Sequence, residues 1–184
     1  MTGTRAVIAA VALLLGLSAC SGEDPEPRVA PSSPSVPSTT AASVETPPEM
    51  PDAAKGSDAA AAEAFVKFYW ELVDYAQQSG NVASLRSLGQ NCVTCEAGIK
   101  SITEIYSAGG EIRGGEGAIS DLQARFLADS SQRVLVIFTL TNSSQVVDYP
   151  GESRDIHYEA GDLAYQTILK HTSSGWRVLL VGEQ

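Results

Sequence analysis

From Ser21 to Gly56 the chain has no aromatic residue and consists mostly of Pro, Ser, Thr, Ala and acid. Such a tract cannot bury enough apolar surface to offset the entropy of ordering its backbone, so it reads as a disordered stalk. It would span roughly 30–36 Å as a flexible coil, or about 110 Å drawn out as polyproline II. Any fold is therefore confined to the residues on either side, and those before it are too few. Met1–Arg5 carries one positive charge, and Ala6–Ala19 is a run of small and aliphatic residues. As a helix that run would be roughly 21 Å long, short of the roughly 30 Å hydrocarbon core. A basic start, a short apolar stretch and small residues at its end describe a secretory signal peptide over residues 1–19.

The apolar run stops at Cys20, and Leu17-Ser18-Ala19-Cys20 resembles the lipobox of bacterial lipoproteins. That resemblance implies a diacylglyceryl group on the Cys20 thiol, cleavage before the cysteine, and further acylation of the new amino end. One acyl chain anchors marginally; two or three, at about 0.8 kcal/mol per buried methylene, anchor stably. The expected partner is thus the membrane, through the lipid on Cys20, at the outer face of the cytoplasmic membrane in a bacterial envelope.

Charge agrees with an anchor rather than a charged surface. Loss of Arg5 with the signal peptide moves the net charge from −10 to −11. So acidic a chain, without a Lys/Arg cluster, is repelled by phosphate backbones and anionic headgroups, which argues against nucleic acid as a partner. With Cys20 lipidated, Cys92 and Cys95 remain as a pair in an oxidising compartment, where a disulfide is favoured.

Residues 57–184 are of ordinary size for one domain. Ser57 or Asp58 can cap a helix on which Ala61, Phe65, Phe68, Tyr69, Leu72 and Ala76 fall at helical spacing, with Gly80 as its stop. Asn81 can open a second, short helix carrying Val82, Leu85 and Leu88 inward to about Gly89. A third runs from about Cys95 to Ala108 with Ile99, Ile102, Ile105 and Tyr106 inward, and Gly109-Gly110 ends it. Strands follow. Ile112 sits in a short one, and Ala118–Leu127 is a candidate with Ile119 and Phe126 inward. Val134–Thr141 turns Val134, Val136, Phe138 and Leu140 to one face. Leu163–His171 and Trp176–Val181 make a hairpin across Thr-Ser-Ser-Gly. The class is α+β, with N-terminal helices packed on a curved, mostly antiparallel sheet.

This order, ending in "GWRVLLV", resembles the cone-shaped fold of the nuclear transport factor 2 superfamily. More narrowly, "FVKFYWELVDYAQQSGNVASL", the "NCVTC" that follows and the Gly-Trp closing strand resemble an uncharacterised family of actinobacterial lipoproteins. The narrow resemblance implies no catalytic residues. The broad one implies a cone pocket that Tyr69, Tyr75 and Asp121 could line. The broad fold hosts enzymes, binders and scaffolds alike, so it does not choose among them.

Local chemistry is sparse. Cys92-Val93-Thr94-Cys95 has redox-motif spacing, but thioredoxin-type sites follow a strand and here a helix and turn precede. No second CxxC or nearby histidine completes a zinc site, so the pair reads as a staple and no metal or other cofactor is expected. In "GGEIRGGEG" Gly110 and Gly115 have phosphate-loop spacing, yet Glu116 stands where lysine belongs and Gly117 where Ser/Thr belongs. His157, in "YPGESRDIHYEAGD", reads as a loop residue, and His171 as a hairpin-end residue. In "RVLVIFTL" both alternating sets are apolar, and Leu179 and Val181 repeat this beside Val178 and Leu180. A sheet with one wet face should alternate. Leu135, Ile137, Leu179 and Val181 are therefore a candidate face for an envelope protein partner or a homodimer, unless the chain covers both faces itself.

Three functions follow in order: a non-enzymatic binding or assembly module, a small-molecule carrier or enzyme using the cone pocket, and thiol redox work by Cys92/Cys95. The export expectation is checked by intact mass of protein extracted from its native host. The expected species begins at Cys20 and carries acyl mass; an unmodified chain beginning at Met1 in the soluble fraction would contradict it.

Overall fold

Asp58 stops being a spacer residue because its carboxylate accepts a hydrogen bond from Ala61 N at 2.8 Å, satisfying one of the free donors of a helix start. Helix α1, Ala59–Ser79, follows in this computed structural model, which describes residues 46–128, 130–151 and 155–184. The expected signal peptide, Cys20 and the expected stalk as far as residue 45 lie outside the described residues. The fold begins ahead of residue 57, however. A 3-10 turn at Asp52–Ala54 packs on α1, with Ala54 fully buried and Met50 against the core. The expected boundary is corrected accordingly; one alanine and one methionine in a Pro-rich stretch give no periodicity to read.

α1 ends at Gly80, whose φ of 73° is left-handed and whose N–H donates to Ala76 O. A Cβ there would lie 2.6 Å from Tyr106 Cγ, so glycine is required by both backbone and neighbour. Helix α2 spans Ala83–Leu88 and α3 spans Val93–Ser107. α3 starts two residues earlier than expected because Cys92 caps it, its Sγ accepting from Cys95 N at 3.2 Å.

The strands are β1 Glu111–Gly114, β2 Gly117–Leu127, β3 Ser130–Asn142, β4 Gln145–Asp148, β5 Ile156–Tyr158, β6 Gly161–Thr172 and β7 Gly175–Glu183. They form two antiparallel sheets, β1-β4-β5 and β2-β3-β6-β7, where a single curved sheet was expected. β4 escaped notice, and β5 falls inside the stretch read as a loop. Both are too short, and too close to Pro150 and Gly151, to show a period of two. The α+β architecture, helices on antiparallel strands, is otherwise the expected one.

The core lies between α1 and the four-stranded sheet. Phe65, fully buried, meets Phe68 and Trp176 with ring centroids 6.2 and 6.4 Å apart. Val134, Val136, Phe138 and Leu140 are all buried, as the alternation of β3 requires. Both outer strands of this sheet are closed by helix side chains. On β2, Ala124 N donates to Glu63 Oε1 at 3.0 Å and Gly117 N to the Asp74 carboxylate at 3.2 and 3.3 Å. On β7, Val181 N donates to Thr94 Oγ1 at 3.1 Å. Open strand edges invite pairing with other chains, and these bonds occupy part of each edge.

Phe126 departs from its expected inward place. It stands opposite Val134 in the inner register but is 46 % exposed at the end of β2. Phe65→Ala should therefore cost about 3–5 kcal/mol, and Phe126→Ala about 1 kcal/mol or less. Urea unfolding of the two variants checks the contrast; equal losses would contradict this core.

Candidate functional site

Two faces of α1 do different work. Phe65, Phe68, Leu72 and Ala76 are buried in the core, while Trp70, Val73, Asp74 and Gln77 follow one another at i, i+3, i+4 and i+7 on the adjoining stripe. That stripe, with Tyr69, forms one wall of a cavity of about 530 Å³. Gly98, Ile99, Ile102 and Ile105 of α3 supply an apolar second wall. The sheets complete it with Leu140, Asn142, Val147, Tyr165 and Val181, and Gln145, Tyr149, Tyr158, Glu159 and Leu163 also border the space. The volume falls in the range of small-molecule sites, roughly 300–1,000 Å³.

Its aromatic part is ordered by ring contacts. Trp70 stands edge-on to Tyr165 at 5.3 Å and to Phe138 at 6.1 Å, and Phe138 stacks on Tyr165 at 6.0 Å. The indole Nε1 of Trp70 is buried and has no hydrogen-bond partner among the described residues. The polar part is carried by side chains from both sides of the cavity. Gln145 Nε2 donates to Gln77 Oε1 at 3.2 Å, bridging β4 to α1. Tyr106 Oη of α3 donates to the Gln77 carbonyl at 2.5 Å, tying the end of α1 to α3.

Asp74 is the electrostatic centre. Burial pushes its carboxyl up from 3.8 to about 6; the N–H of Gly117 opposes the shift, and nearby Glu116 and Glu71 add to it. Burial also pushes the Tyr69 phenol up to about 12, so it stays neutral and can only exchange hydrogen bonds. Among the described lining residues there is no Lys, Arg or His, and the carboxyls there are those of Asp74 and Glu159.

Of the three expected pocket residues, only Tyr69 lines the cavity. Tyr75 is buried elsewhere, its Oη accepting from Asn81 Nδ2 at 3.1 Å. Asp121 is exposed, with φ 55°, in a bulge where Asp121 and Leu122 together oppose Phe138. The extra residue turns Leu122 rather than Asp121 toward the core. Asp74 was missed; its signal was the i, i+3, i+4, i+7 stripe beside the apolar face, mixing a carboxylate and an amide with Trp and Val.

A second bulge corrects the proposed partner face. Leu169 pairs with Val178 and Ile168 with Leu180, leaving Leu179 as the extra residue. Past it Val181 pairs with buried Thr167, packs on the core and lines the cavity. Val181 therefore leaves the outer face. There Leu135 and Ile137 remain, with Leu135 beside Ile168 and Ile168 beside Leu180.

Cys92 and Cys95 are disulfide-bonded, Cα to Cα 5.2 Å, and both are buried, 0 % and 5 % exposed. Burial keeps external thiols from the sulfurs, which counts against a redox role. The bridge fixes the first turn of α3, and closing so short a loop contributes about 2 kcal/mol at most. His157 lies exposed in β5, and His171 meets Trp176 edge-on at 4.8 Å in the β6–β7 hairpin. Among the described residues no group of three or more His, Cys, Asp or Glu is placed to hold a metal ion.

The family of unknown function DUF6318 matches residues 36–181. The chain belongs to this family. No curated protein matches it. Among solved structures, it resembles the intermembrane space region of the chloroplast protein ARC6 at 16 % identity and TM-score 0.53, covering 68 % of this chain and 95 % of that one. It also resembles an NTF2-like protein of unknown function in nutrient uptake from Rhodospirillum rubrum, at 16 % identity and TM-score 0.43, covering 63 % and 93 %. The beta subunit of benzoate 1,2-dioxygenase from Burkholderia mallei matches at 11 % identity and TM-score 0.44, covering 69 % and 89 %. The first likeness is one of fold and carries no activity with it.

A carboxyl whose folded pKa is raised costs stability when ionised. That cost is absent below the unfolded value near 4 and fully present above about 6. Asp74→Asn removes it. The variant's Tm relative to the parent should therefore rise between pH 4.5 and 7.5; a difference that is flat or falling over that window would contradict the burial of Asp74.

Proposed function

We propose that this DUF6318 protein is a lipid-anchored envelope protein whose folded head is a non-enzymatic module binding a small molecule in the cavity between α1, α3 and the sheets. The observation that carries the reading is the cavity itself: about 530 Å³ of space bordered by aromatic rings, aliphatic side chains and a few polar groups. A protein that served only as a scaffold gains stability by filling such space with side chains. Anchoring is supported by the lipobox-like Leu17–Cys20, the apolar run before it and the stalk after it, as in the actinobacterial lipoproteins that the chain resembles. On this reading the stalk holds the head off the outer face of the cytoplasmic membrane, with its cavity open to the envelope space.

A second reading, assembly through the sheet, is favoured by one observation. Leu135, Ile168 and Leu180 lie side by side across β3, β6 and β7, with Ile137 next along β3, and all four are partly exposed. An apolar row on the outer face of an antiparallel sheet suits a partner or a second copy.

Val73→Trp tests the first reading by filling the cavity from α1. The uncharged solvatochromic dye Nile red should bind the parent head at one per chain. It should bind Val73→Trp at least about tenfold more weakly, with the urea midpoint of the variant retained. Equal dye binding by both proteins, or none by the parent, would count against a ligand cavity.

A further inference from the structure

We propose that the cavity selects an organic cation, a small amine or ammonium compound with an apolar body, held by Asp74 and Glu159 against the aromatic wall. This rests on the binding reading above and names the ligand class it implies. Four observations converge on it. Among the described residues the lining holds two carboxyls and no Lys, Arg or His, so an anionic ligand would meet like charge there. Trp70, Tyr158 and Tyr165 border the same space, and ring faces attract cations, indole most strongly. Val73, Ile99, Ile102 and Ile105 offer the hydrocarbon surface that the body of such a ligand needs. Finally, the chain's net charge of −10 raises the local concentration of cations around it.

The chemistry of Asp74 separates a cation from a neutral ligand. Both of its oxygens share one backbone donor, Gly117 N, at 3.2 and 3.3 Å. A carboxylate can accept about four hydrogen bonds, so acceptor capacity remains for a ligand N–H. Glu116 and Glu71 add negative charge nearby. A neutral ligand that expels water from the cavity would leave this charge without a counterpart. A cation supplies one, and the contact becomes a charge-assisted hydrogen bond in a partly desolvated site. Glu159, exposed after β5, extends the same preference toward solvent.

The test uses three probes of one shape, phenethylamine, phenethyl alcohol and phenylacetate, titrated into the anchored protein in detergent and read by calorimetry. The amine should bind about tenfold more tightly than the alcohol, and the acid most weakly. Asp74→Asn should erase most of that preference, and Glu159→Gln should reduce it about twofold to threefold. Glu104→Gln, at an exposed ion pair with Lys100, should leave it intact. If the alcohol or acid binds as tightly as the amine, and Val73→Trp abolishes that binding, the cavity reading stands and the cation inference falls. If the amine preference survives both Asp74→Asn and Glu159→Gln, the carboxyls are not its source and the inference also falls. If no probe binds the parent protein, the binding reading fails and takes the inference with it.

Discussion

The unpaired edge of β2 is the constraint around which the head is arranged. β2 ends the four-stranded sheet, and its backbone donors have no strand beyond them. α1 meets that need with two carboxylates eleven residues apart, Glu63 and Asp74, each accepting from a β2 amide. Eleven residues are close to three helical turns, so both project from one side of the helix. The same helix buries Phe65, Phe68 and Leu72 against the sheet. Once edge and apolar face are both satisfied, the angle and depth of α1 on the sheet leave little freedom.

The cavity follows from that placement. With its apolar face on the sheet and its carboxylates on β2, α1 leaves the stripe of Trp70, Val73 and Gln77 toward α3. α3 is held at its start by the Thr94 bond to β7 and at its end by Tyr106 bonding to α1, and the Cys92–Cys95 bridge fixes the shape of its first turn. Between these ends Ile99, Ile102 and Ile105 of α3 belong to the core and border the cavity, which lies between the two helices and the sheets. Asp74 belongs to both arrangements. As an edge acceptor it bonds Gly117 more strongly when ionised, and as a cavity residue it is partly removed from water. The raised pKa expresses that conflict.

Much of the scaffold was legible because its signals are periodic. Phe65, Phe68, Tyr69, Leu72 and Ala76 repeat at helical spacing, and Val134 to Leu140 alternate without interruption. What was not legible depends on breaks in period. One inserted residue at Asp121 moves that carboxyl from the pocket side of β2 to solvent, and another at Leu179 moves Val181 from the outer face to the inner one. A bulge is set by the partner strand, so no local pattern announces it. β4 and β5 are runs of four and three residues, and Ala54 is buried only because α1 is there to cover it. The site was harder still. Asp74 looks like any exposed helix acid until β2 is laid beside it, and Tyr75 looks like a pocket residue until the end of α1 turns it toward Asn81.

The role given to α1 is tested most directly by amide hydrogen exchange at two positions, Gly117 and Ala124. Both sit on an outer strand, where amides facing solvent exchange quickly, and both donate to α1 carboxylates. The account predicts slow exchange at both, approaching that of Val136 in the sheet interior, with Gly117 alone becoming fast in Asp74→Ala. Rapid exchange at both amides in the parent protein would contradict it, because α1 would then not be closing the edge on which its position and the cavity depend.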